Sequence, residues 1–333
     1  MDHVKNILDR FLELIFSRPY KNPTFDEFAM FMAFNSSTHS GDLSRQVGVV
    51  ITRKKQIIAT GANEVPQSDG GVYWAKADIY GKVDDEKEGK DYKLGYDPNK
   101  REQKNIINDI IARIKEDKIF DNLINNEESE KIFEKKLEKI LKKTAIADLT
   151  EFGRVVHAEM NALLSCCRVG TPTKKATLYC TTFPCHNCAK HIVAAGIKRV
   201  VYVEPYPKSK AIELHKDSII IKNIPDGSKD TTKVVFEPFT GVGPRRFLDL
   251  FSMSLGAGIK IKRKDWKGDI VDYKGNKDNI KMRTPLLSNA YLGVEQEAIK
   301  IWKKRKRKRK GLKFLVRSFV KRVLFWVFKG CKI

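Results

Sequence analysis

The spacing of apolar and polar residues predicts helices and short strands that alternate along the chain. Apolar side chains crowd positions 26–38 behind an acidic start, which predicts a buried helix. Two β-branched runs on either side of Lys54-Lys55 predict a hairpin of a core sheet. The later pattern predicts a helix over 151–164, a strand over 176–180, a helix over 185–195, strands over 199–203, 218–221 and 233–236, a turn at 241–244 and a helix around Phe247. This alternation indicates an α/β sandwich.

A charged segment interrupts this pattern. Between about residues 75 and 143 the composition turns to Lys, Asp, Glu and Asn, with apolar residues at helical spacing around Ile107 and again around Leu137. We predict two amphipathic helices inserted into the core fold. They act either as solvated helices packed on the body or as a substrate lid or an oligomer contact.

The net charge is concentrated at the C-terminal end. The chain has 333 residues, with 64 Lys and Arg against 41 Asp and Glu, and a formal charge of +23. Fourteen of the basic residues and none of the acidic ones lie in residues 303–333, which leaves +9 for the rest of the chain. The overall charge is therefore weak evidence that the folded body binds nucleic acid.

The last segment combines a polybasic run with amphipathic character. Residues 303–310 are all Lys or Arg, and from Gly311 apolar residues alternate with cations in short groups. The longest uncharged run, 323–328, is too short to span a bilayer. We predict an amphipathic anchor on an anionic membrane surface. Attachment to nucleic acid, a partner-binding helix and a functionless extension remain as alternatives.

Cysteine usage points to a reducing compartment. Five of the six cysteines lie between Cys166 and Cys188, which is unlike a disulfide framework spread along a secreted chain. The first residues are charged and polar, and no apolar signal segment follows them. We therefore expect a cytoplasmic protein, in which Cys166, Cys167 and Cys180 are buried packing residues.

Two short motifs carry the candidate chemistry. His157-Ala158-Glu159 is followed by Pro184-Cys185-His186-Asn187-Cys188. Cys-x-x-Cys in a reducing compartment is a redox pair or two thiolate ligands of one metal. Together with one imidazole they supply three zinc ligands and leave the fourth tetrahedral position open, as in catalytic zinc sites. A closed zinc knuckle completed by His186 or His191, and a thioredoxin-like redox pair, are the alternatives.

The spacing of these motifs constrains where their helices begin. Cys185 and Cys188 become neighbours on the first turn of a helix, where free backbone N–H groups and the helix dipole stabilise thiolates. His157 and Glu159 are two residues apart, which in the middle of a helix would aim them about 200° apart. They can serve one pocket only near the start of a helix.

The same residues match the signature of zinc deaminases, His-x-Glu followed by Pro-Cys-x-x-Cys. Segments 43–48, 59–63, 156–162 and 177–182 resemble, in order, the sequence blocks of the deoxycytidylate deaminase family. The insertion, together with segments 203–210 and 241–247, is similar to the bacterial dCTP/dCMP deaminases of anti-phage defence. Those commonly carry a P-loop kinase-like domain ahead of the deaminase. Because no Gly-x4-Gly-Lys-Ser/Thr motif occurs here, its role is not carried over.

This resemblance implies a three-layer α/β/α cytidine deaminase-like fold with a mixed central sheet. It implies that His157, Cys185 and Cys188 hold zinc (Zn2+) and that Glu159 is catalytic. Glu159 would take a proton from water, deliver it to N3 of the cytosine ring and then protonate the leaving ammonia. The product would be a uracil nucleotide.

The resemblance also implies substrate contacts. Asn63 would bind the sugar, Ala158 would contact the substrate, Tyr206 would stack near the base, and Arg45 and Lys208 would contact phosphate. Lys210, Arg245 and Arg246 are further candidates for phosphate. On the residues alone, Asn63 is also typical of a turn, Tyr206 of a buried aromatic and each cation of a solvated surface.

On this basis the chain divides into five parts. They are an N-terminal helical lead (1–24), a deaminase domain (25–74 and 144–256), a charged helical insertion (75–143), a C-terminal extension (257–302) and a polybasic amphipathic tail (303–333). The predicted function is zinc-dependent deamination of dCMP or dCTP by a cytoplasmic homo-oligomer, in nucleotide depletion against phage. A deaminase of cytosine or adenine in RNA or single-stranded DNA, and a non-catalytic nucleotide-sensing module, are the alternatives.

Overall fold

The computed structural model describes residues 2–16, 18–116, 127–222, 232–254 and 261–273, together with positions 283, 295, 296, 299 and 302. The predicted tail, residues 303–333, lies outside the described residues, as does most of segment 274–302. None of the helices in the described part is both long enough and apolar enough to cross a membrane.

A six-stranded sheet forms the centre of the described part. Its strands are β1 (Gly48–Arg53), β2 (Gln56–Ala62), β5 (Thr177–Thr182), β6 (Arg199–Glu204), β7 (Ile219–Ile221) and β8 (Val234–Pro238), in the order β2-β1-β5-β6-β8-β7. β1 runs antiparallel to both β2 and β5, whereas the remaining neighbours are parallel. The sheet is therefore mixed, as the family resemblance implies.

Helices cover both faces of this sheet. On one face, α2 (Phe25–Ser37) packs against Val50 and Tyr179. On the other face, α6 (Ala158–Arg168) and α7 (His186–Ala194) pack against alternate residues of the same strands, such as Leu178. Because helices cover both faces, β1 and β5 are buried along almost their whole length. These three layers confirm the predicted fold class.

The other helices lie at the periphery. They are α1 (Asp2–Ile15), α3 (Asp91–Leu94), α4 (Pro98–Glu116), α5 (Glu127–Leu141), α8 (Ala211–Leu214) and α9 (Phe247–Phe251), with 3-10 turns at Ala145–Asp148 and Pro244–Arg246. The predicted hairpin turn is also present: Lys54 and Lys55 both have positive φ (50° and 58°), as the tightest hairpin turns require.

Glu27 joins three elements of the described part. It completes a capping box with Thr24 at the start of α2, and its buried carboxylate accepts hydrogen bonds from Arg10 of α1 and from the backbone N–H of Val242. Burial alone would raise its pKa, but these hydrogen bonds and the Arg10 charge lower the pKa of Glu27 below its ordinary value. α1 and the 241–244 turn are therefore fixed to α2 through one side chain.

The charged insertion contains both predicted helices, α4 and α5, which contact each other. A small two-stranded sheet, β3 (Lys76–Ala77) and β4 (Val83–Asp84), precedes them. α4 is tied to the core by Gln103, whose side-chain amide donates hydrogen bonds to the carbonyls of Ala147 and Leu149. The insertion is therefore packed on the body over at least one face.

Two expectations are wrong in detail. The helix predicted over 151–164 begins only at Ala158, because Val156 forms a β-bridge with Glu64 and holds the preceding chain extended. Cys167 is exposed, whereas Cys166 and Cys180 are buried as predicted. Cys166 and Cys167 occupy adjacent positions on α6 and therefore point in different directions, so only one of them faces the sheet.

Candidate active site and metal centre

His157 occupies the position immediately before α6. Its backbone is extended (φ −63°, ψ 150°) and it is the N-cap of the helix, so that Glu159 falls in the first helical turn. Because the backbone of His157 is extended, this residue lies outside the helix, and its side chain does not have to point away from that of Glu159 as it would within a helix. Both can therefore face one pocket, which is the arrangement that their spacing requires.

Cys185 has the equivalent position on α7. It is the N-cap residue, and its Sγ accepts a hydrogen bond from the backbone N–H of Cys188 at 3.4 Å. This bond satisfies one of the free N–H groups at the helix start and favours a charged sulfur. Both thiols thus lie at the positive end of a helix dipole.

The two helix starts bring three ligand-type side chains together. The Nδ1 atom of His157 lies 3.4 Å from Cys185 Sγ and 3.3 Å from Cys188 Sγ. For tetrahedral zinc with ordinary Zn–S and Zn–N bond lengths, this N···S separation is about 3.5 Å. Among the residues that the structure describes, these three form the one such cluster, and neither His186 nor His191 belongs to it. The donor set and its spacing therefore fit an open zinc site.

The electrostatics of the cluster also suit a cation. Hydrogen bonds from the Cys188 thiol and from His157 lower the pKa of Cys185 to about 4. The hydrogen bond to Cys185 in turn raises the pKa of His157 to about 9. The pocket thus stabilises a thiolate by holding a positive charge next to it, and a metal ion can replace that charge.

Glu159 lies beside the cluster. Its side chain is 4% exposed, and burial raises the pKa of its carboxyl group. It lies close enough to the thiols of Cys188 and Cys180 to influence their pKa values, which are raised. The contact with Cys180 was missed by the sequence reasoning, which treated this cysteine as packing alone. Alternation along β5 places Cys180 and Leu178 on the same face of the sheet, but it does not show that α6 covers this face.

Asn63 fixes the loop beside this pocket. It is 6% exposed, its Oδ1 accepts a hydrogen bond from Val47 N at 2.7 Å, and its Nδ2 donates to Arg45 O at 2.9 Å. The structure therefore gives Asn63 a role in holding residues 45–47. The predicted sugar contact stays a prediction.

The predicted phosphate and base contacts divide into two groups. The guanidinium of Arg45 lies 5.6 Å from the ring centroid of Tyr206, so these two are brought together. Lys208 instead forms an exposed ion pair with Asp148. Of the remaining candidates, Lys210 precedes α8, Arg245 lies over the ring of Phe34 and Arg246 pairs with Asp249.

Ala158 lies against β2 with no space to spare. It is fully buried, and a Cβ atom at Gly61 would lie 2.3 Å from its carbonyl oxygen. Asn161 adds a further link, since its side-chain amide donates a hydrogen bond to Ala62 O at 3.0 Å. The close approach of α6 to the end of β2 thus sets the distance between the Asn63 loop and the metal ligands.

These features define a class: α/β/α proteins that hold an open zinc site with a carboxylate next to it. The family model of the cytidine and deoxycytidylate deaminase zinc-binding region matches residues 23–204. This match covers more than half of the 333 residues. The chain belongs to that family.

Several characterised proteins are similar over part of the chain. ComE operon protein 2 of Bacillus subtilis is 53% identical over 53 residues, which are 16% of this chain and 28% of that protein. The deoxycytidylate deaminase of Enterobacteria phage T4 is 49% identical over 55 residues, 16% of this chain and 28% of the relative. The crystal structure of the dCMP deaminase of cyanophage S-TIM5 with dCMP and dUMP aligns over 66% of this chain and 99% of that one, with 17% identity and a TM-score of 0.33. The chain thus spans less than a third of the length of the first two relatives.

Proposed function

We propose that this protein hydrolyses the C4–N bond of a deoxycytidine nucleotide, dCMP or dCTP, to give the deoxyuridine nucleotide and ammonia. One observation carries the proposal: a buried carboxylate, Glu159, lies beside a cluster of one imidazole and two thiols that leaves the fourth tetrahedral position free. Membership of the deaminase family supports the same reaction.

Zinc binding and proton transfer are assigned to different residues. His157, Cys185 and Cys188 would hold Zn2+, which when bound supplies a Lewis acid that activates water at neutral pH. Glu159 is placed to accept a proton from the attacking water and deliver it to N3, and then to carry the second proton, from the new C4 hydroxyl group, to the departing amino group. Its burial supports this role, because a carboxyl group with a raised pKa takes up a proton readily.

Nucleotide recognition is proposed for the loop that Asn63 holds. The side chain of Arg45 projects from this loop over the ring of Tyr206, and the pair offers a cation for phosphate and an aromatic face for the base. Lys208 supplies a further cation once its exposed pair with Asp148 opens, which costs little in water. We expect Arg45 to contribute more than Lys208 to binding.

Ammonia release from the purified, zinc-loaded protein tests this function. We expect turnover of dCMP or dCTP, compared side by side with CMP, cytidine and a cytosine-containing single-stranded oligonucleotide. Turnover confined to one deoxynucleotide would establish that the enzyme is a deoxycytidine nucleotide deaminase and would show how many phosphates its substrate carries. Turnover of the oligonucleotide alone would contradict the proposal and favour a nucleic-acid deaminase.

The Glu159→Gln variant tests the mechanism. We expect kcat to fall by at least about 10³-fold, because one group serves several proton transfers. Zinc content, measured by mass spectrometry of the metal, should be unchanged because Glu159 is not among the ligands. Glu151→Gln, at an exposed position shortly before the site, is the matched control. Near-wild-type turnover in Glu159→Gln would remove this residue from the mechanism.

Depletion of deoxycytidine nucleotides during phage infection is the biological role that we propose for this reaction. It predicts that expression of the protein lowers phage plating, and that the Glu159→Gln variant does not. Equal protection by both proteins would show that the defence does not depend on deamination.

A further inference from the structure

A buried ion pair connects the charged insertion to the candidate active site. Lys90, from the insertion, places its Nζ 3.0 Å from the Glu64 carboxylate and 3.5 Å from that of Asp85. The side chains of Lys90 and Glu64 are only 7% and 1% exposed. Charges removed from water this completely are costly unless they are paired, so each depends on the other.

Glu64 in turn holds two segments that border the site. Its carboxylate accepts a hydrogen bond from the backbone N–H of Gly41 at 2.7 Å, at the start of loop 40–47. Its backbone exchanges hydrogen bonds of 3.2 and 3.0 Å with Val156, the residue immediately before His157. One residue therefore links the insertion, loop 40–47 and the chain that carries the first metal ligand.

Loop 40–47 is the loop that Asn63 fixes from its other end. Asn63 holds Arg45 O and Val47 N, whereas Glu64 holds Gly41 N. Glu64 also pairs through its backbone with Val156, the residue before His157. Loop 40–47 therefore shares this anchor with the chain that carries the first metal ligand, and it carries the proposed phosphate contact at Arg45.

The insertion packs directly on this loop. A Cβ atom at Gly41 would lie 3.2 Å from Lys90 Cδ, from Tyr92 Cε1 and from Glu64 Oε2. Arg154, shortly before the metal ligands, donates a hydrogen bond to Glu88 O and so forms a second contact between the insertion and the core. Nothing in the proposed proton transfers uses Lys90, Glu64 or Tyr92.

We propose that Lys90 is a positioning residue, which acts through Glu64 to hold loop 40–47 in its nucleotide-binding conformation. Without the ammonium group, the buried Glu64 carboxylate would be left uncompensated and would move towards solvent, which releases Gly41. Loosening of the loop affects nucleotide binding more than proton transfer at Glu159. This inference rests on the proposed function.

Kinetics of Lys90→Met with the deoxynucleotide substrate test the inference. We expect KM to rise about tenfold or more, because a misplaced loop weakens binding, while kcat stays within about twofold of wild type and zinc content is unchanged. Lys93→Met is the matched control: Lys93 lies in the same insertion and pairs with Asp84 at the surface, so KM should not change.

The double variant Lys90→Met/Glu64→Gln separates positioning from a general loss of packing. A neutral amide can keep a hydrogen bond to Gly41 without a buried charge, so KM should return to within about threefold of wild type. If Lys90→Met alone does not fold, a folded double variant with near-wild-type KM supports the same conclusion. An unaltered KM in Lys90→Met, or a double variant that is unfolded or no better than the single one, would overturn it.

Hydrogen exchange gives a readout that does not depend on turnover. Backbone amides of residues 40–47 should exchange at least about tenfold faster in Lys90→Met than in wild type, whereas the amides of α7 should be unchanged. Unaltered exchange in the loop would overturn the positioning role even if the protein proves to be an active deaminase. Faster exchange of the loop in Lys90→Met, combined with a wild-type protein that has no deaminase activity, would refute only the proposed function.

Discussion

Replacing Gly61 by alanine tests how the sheet positions the metal ligands. Gly61 lies in β2 directly under α6, and a Cβ atom there would lie 2.3 Å from Ala158 O and 2.7 Å from Ala162 N. Both are backbone atoms of the helix, so no side chain can rotate away to relieve the contact. The helix must therefore shift by roughly 1 Å to restore ordinary van der Waals separation.

The size of this shift sets the expected effects. Overpacking of this kind lowers the free energy of unfolding by roughly 1–3 kcal/mol. His157 directly precedes Ala158, and Glu159 directly follows it, so the same shift displaces both relative to Cys185. A displacement of about 1 Å in a catalytic arrangement can cost about 10²-fold in rate. We expect kcat/KM to fall by about that factor.

Urea unfolding and steady-state kinetics on the same preparations provide the measurement. Gly243→Ala is the control, because no atom lies within 4 Å of the Cβ position there and the backbone φ is an ordinary −59°. This variant should stay within about 0.5 kcal/mol of wild type. A Gly61→Ala protein with unchanged stability and with kcat/KM within twofold of wild type would refute the reasoning.

Three further measurements follow from the structure. Because hydrogen bonds lower the pKa of Glu27 below its ordinary 4.5, its contribution to stability is present above that pH and is lost as the pH falls through the folded pKa. Glu27→Gln should therefore lower stability by roughly 2 kcal/mol at pH 7, with the difference from wild type shrinking below pH 4.5 in urea titrations; a difference independent of pH would contradict this account. Chelation that removes zinc should abolish turnover and one equivalent of Zn2+ should restore it, whereas full turnover by zinc-free protein would exclude the proposed site. Iodoacetamide should modify exposed Cys167 in the native protein and buried Cys180 only after unfolding, and peptide mass spectrometry that finds equal rates would contradict the burial of Cys180.

The metal ligands could be predicted from sequence because their geometry is local. Cys185 and Cys188 are neighbours as soon as a helix begins at residue 186, whatever the rest of the chain does. His157 and Glu159 can share a pocket only at a helix start, and this requirement placed the beginning of α6 better than the apolar pattern did. The pattern failed there because Val156 is apolar yet belongs to a β-bridge with Glu64, a contact distant along the chain.

The contacts that depend on the topology of the sheet could not be predicted in this way. Because side chains alternate along β5, Tyr179 and Cys180 face opposite sides of the sheet. Only the packing of α6 shows that Cys180 lies next to Glu159. In the same way, Lys90 is one of many cations in a charged segment, and its sequence context resembles that of any solvated lysine. Its burial follows from the way the insertion returns to the core at Glu64.

The two interpretations of Asn63, as a turn residue and as a sugar ligand, are compatible in this arrangement. Its Nδ2 has two hydrogens, and the bond to Arg45 O uses one of them, while the bond from Val47 N fixes the plane of the amide. The direction of the second N–H is thereby set by the loop before any nucleotide binds. A donor held in one orientation loses little conformational entropy when it binds a hydroxyl group, and the same loop carries Arg45. Holding the loop and the proposed sugar contact are therefore expected to depend on each other, and a change that loosens loop 40–47 should weaken both the proposed sugar contact and the proposed phosphate contact.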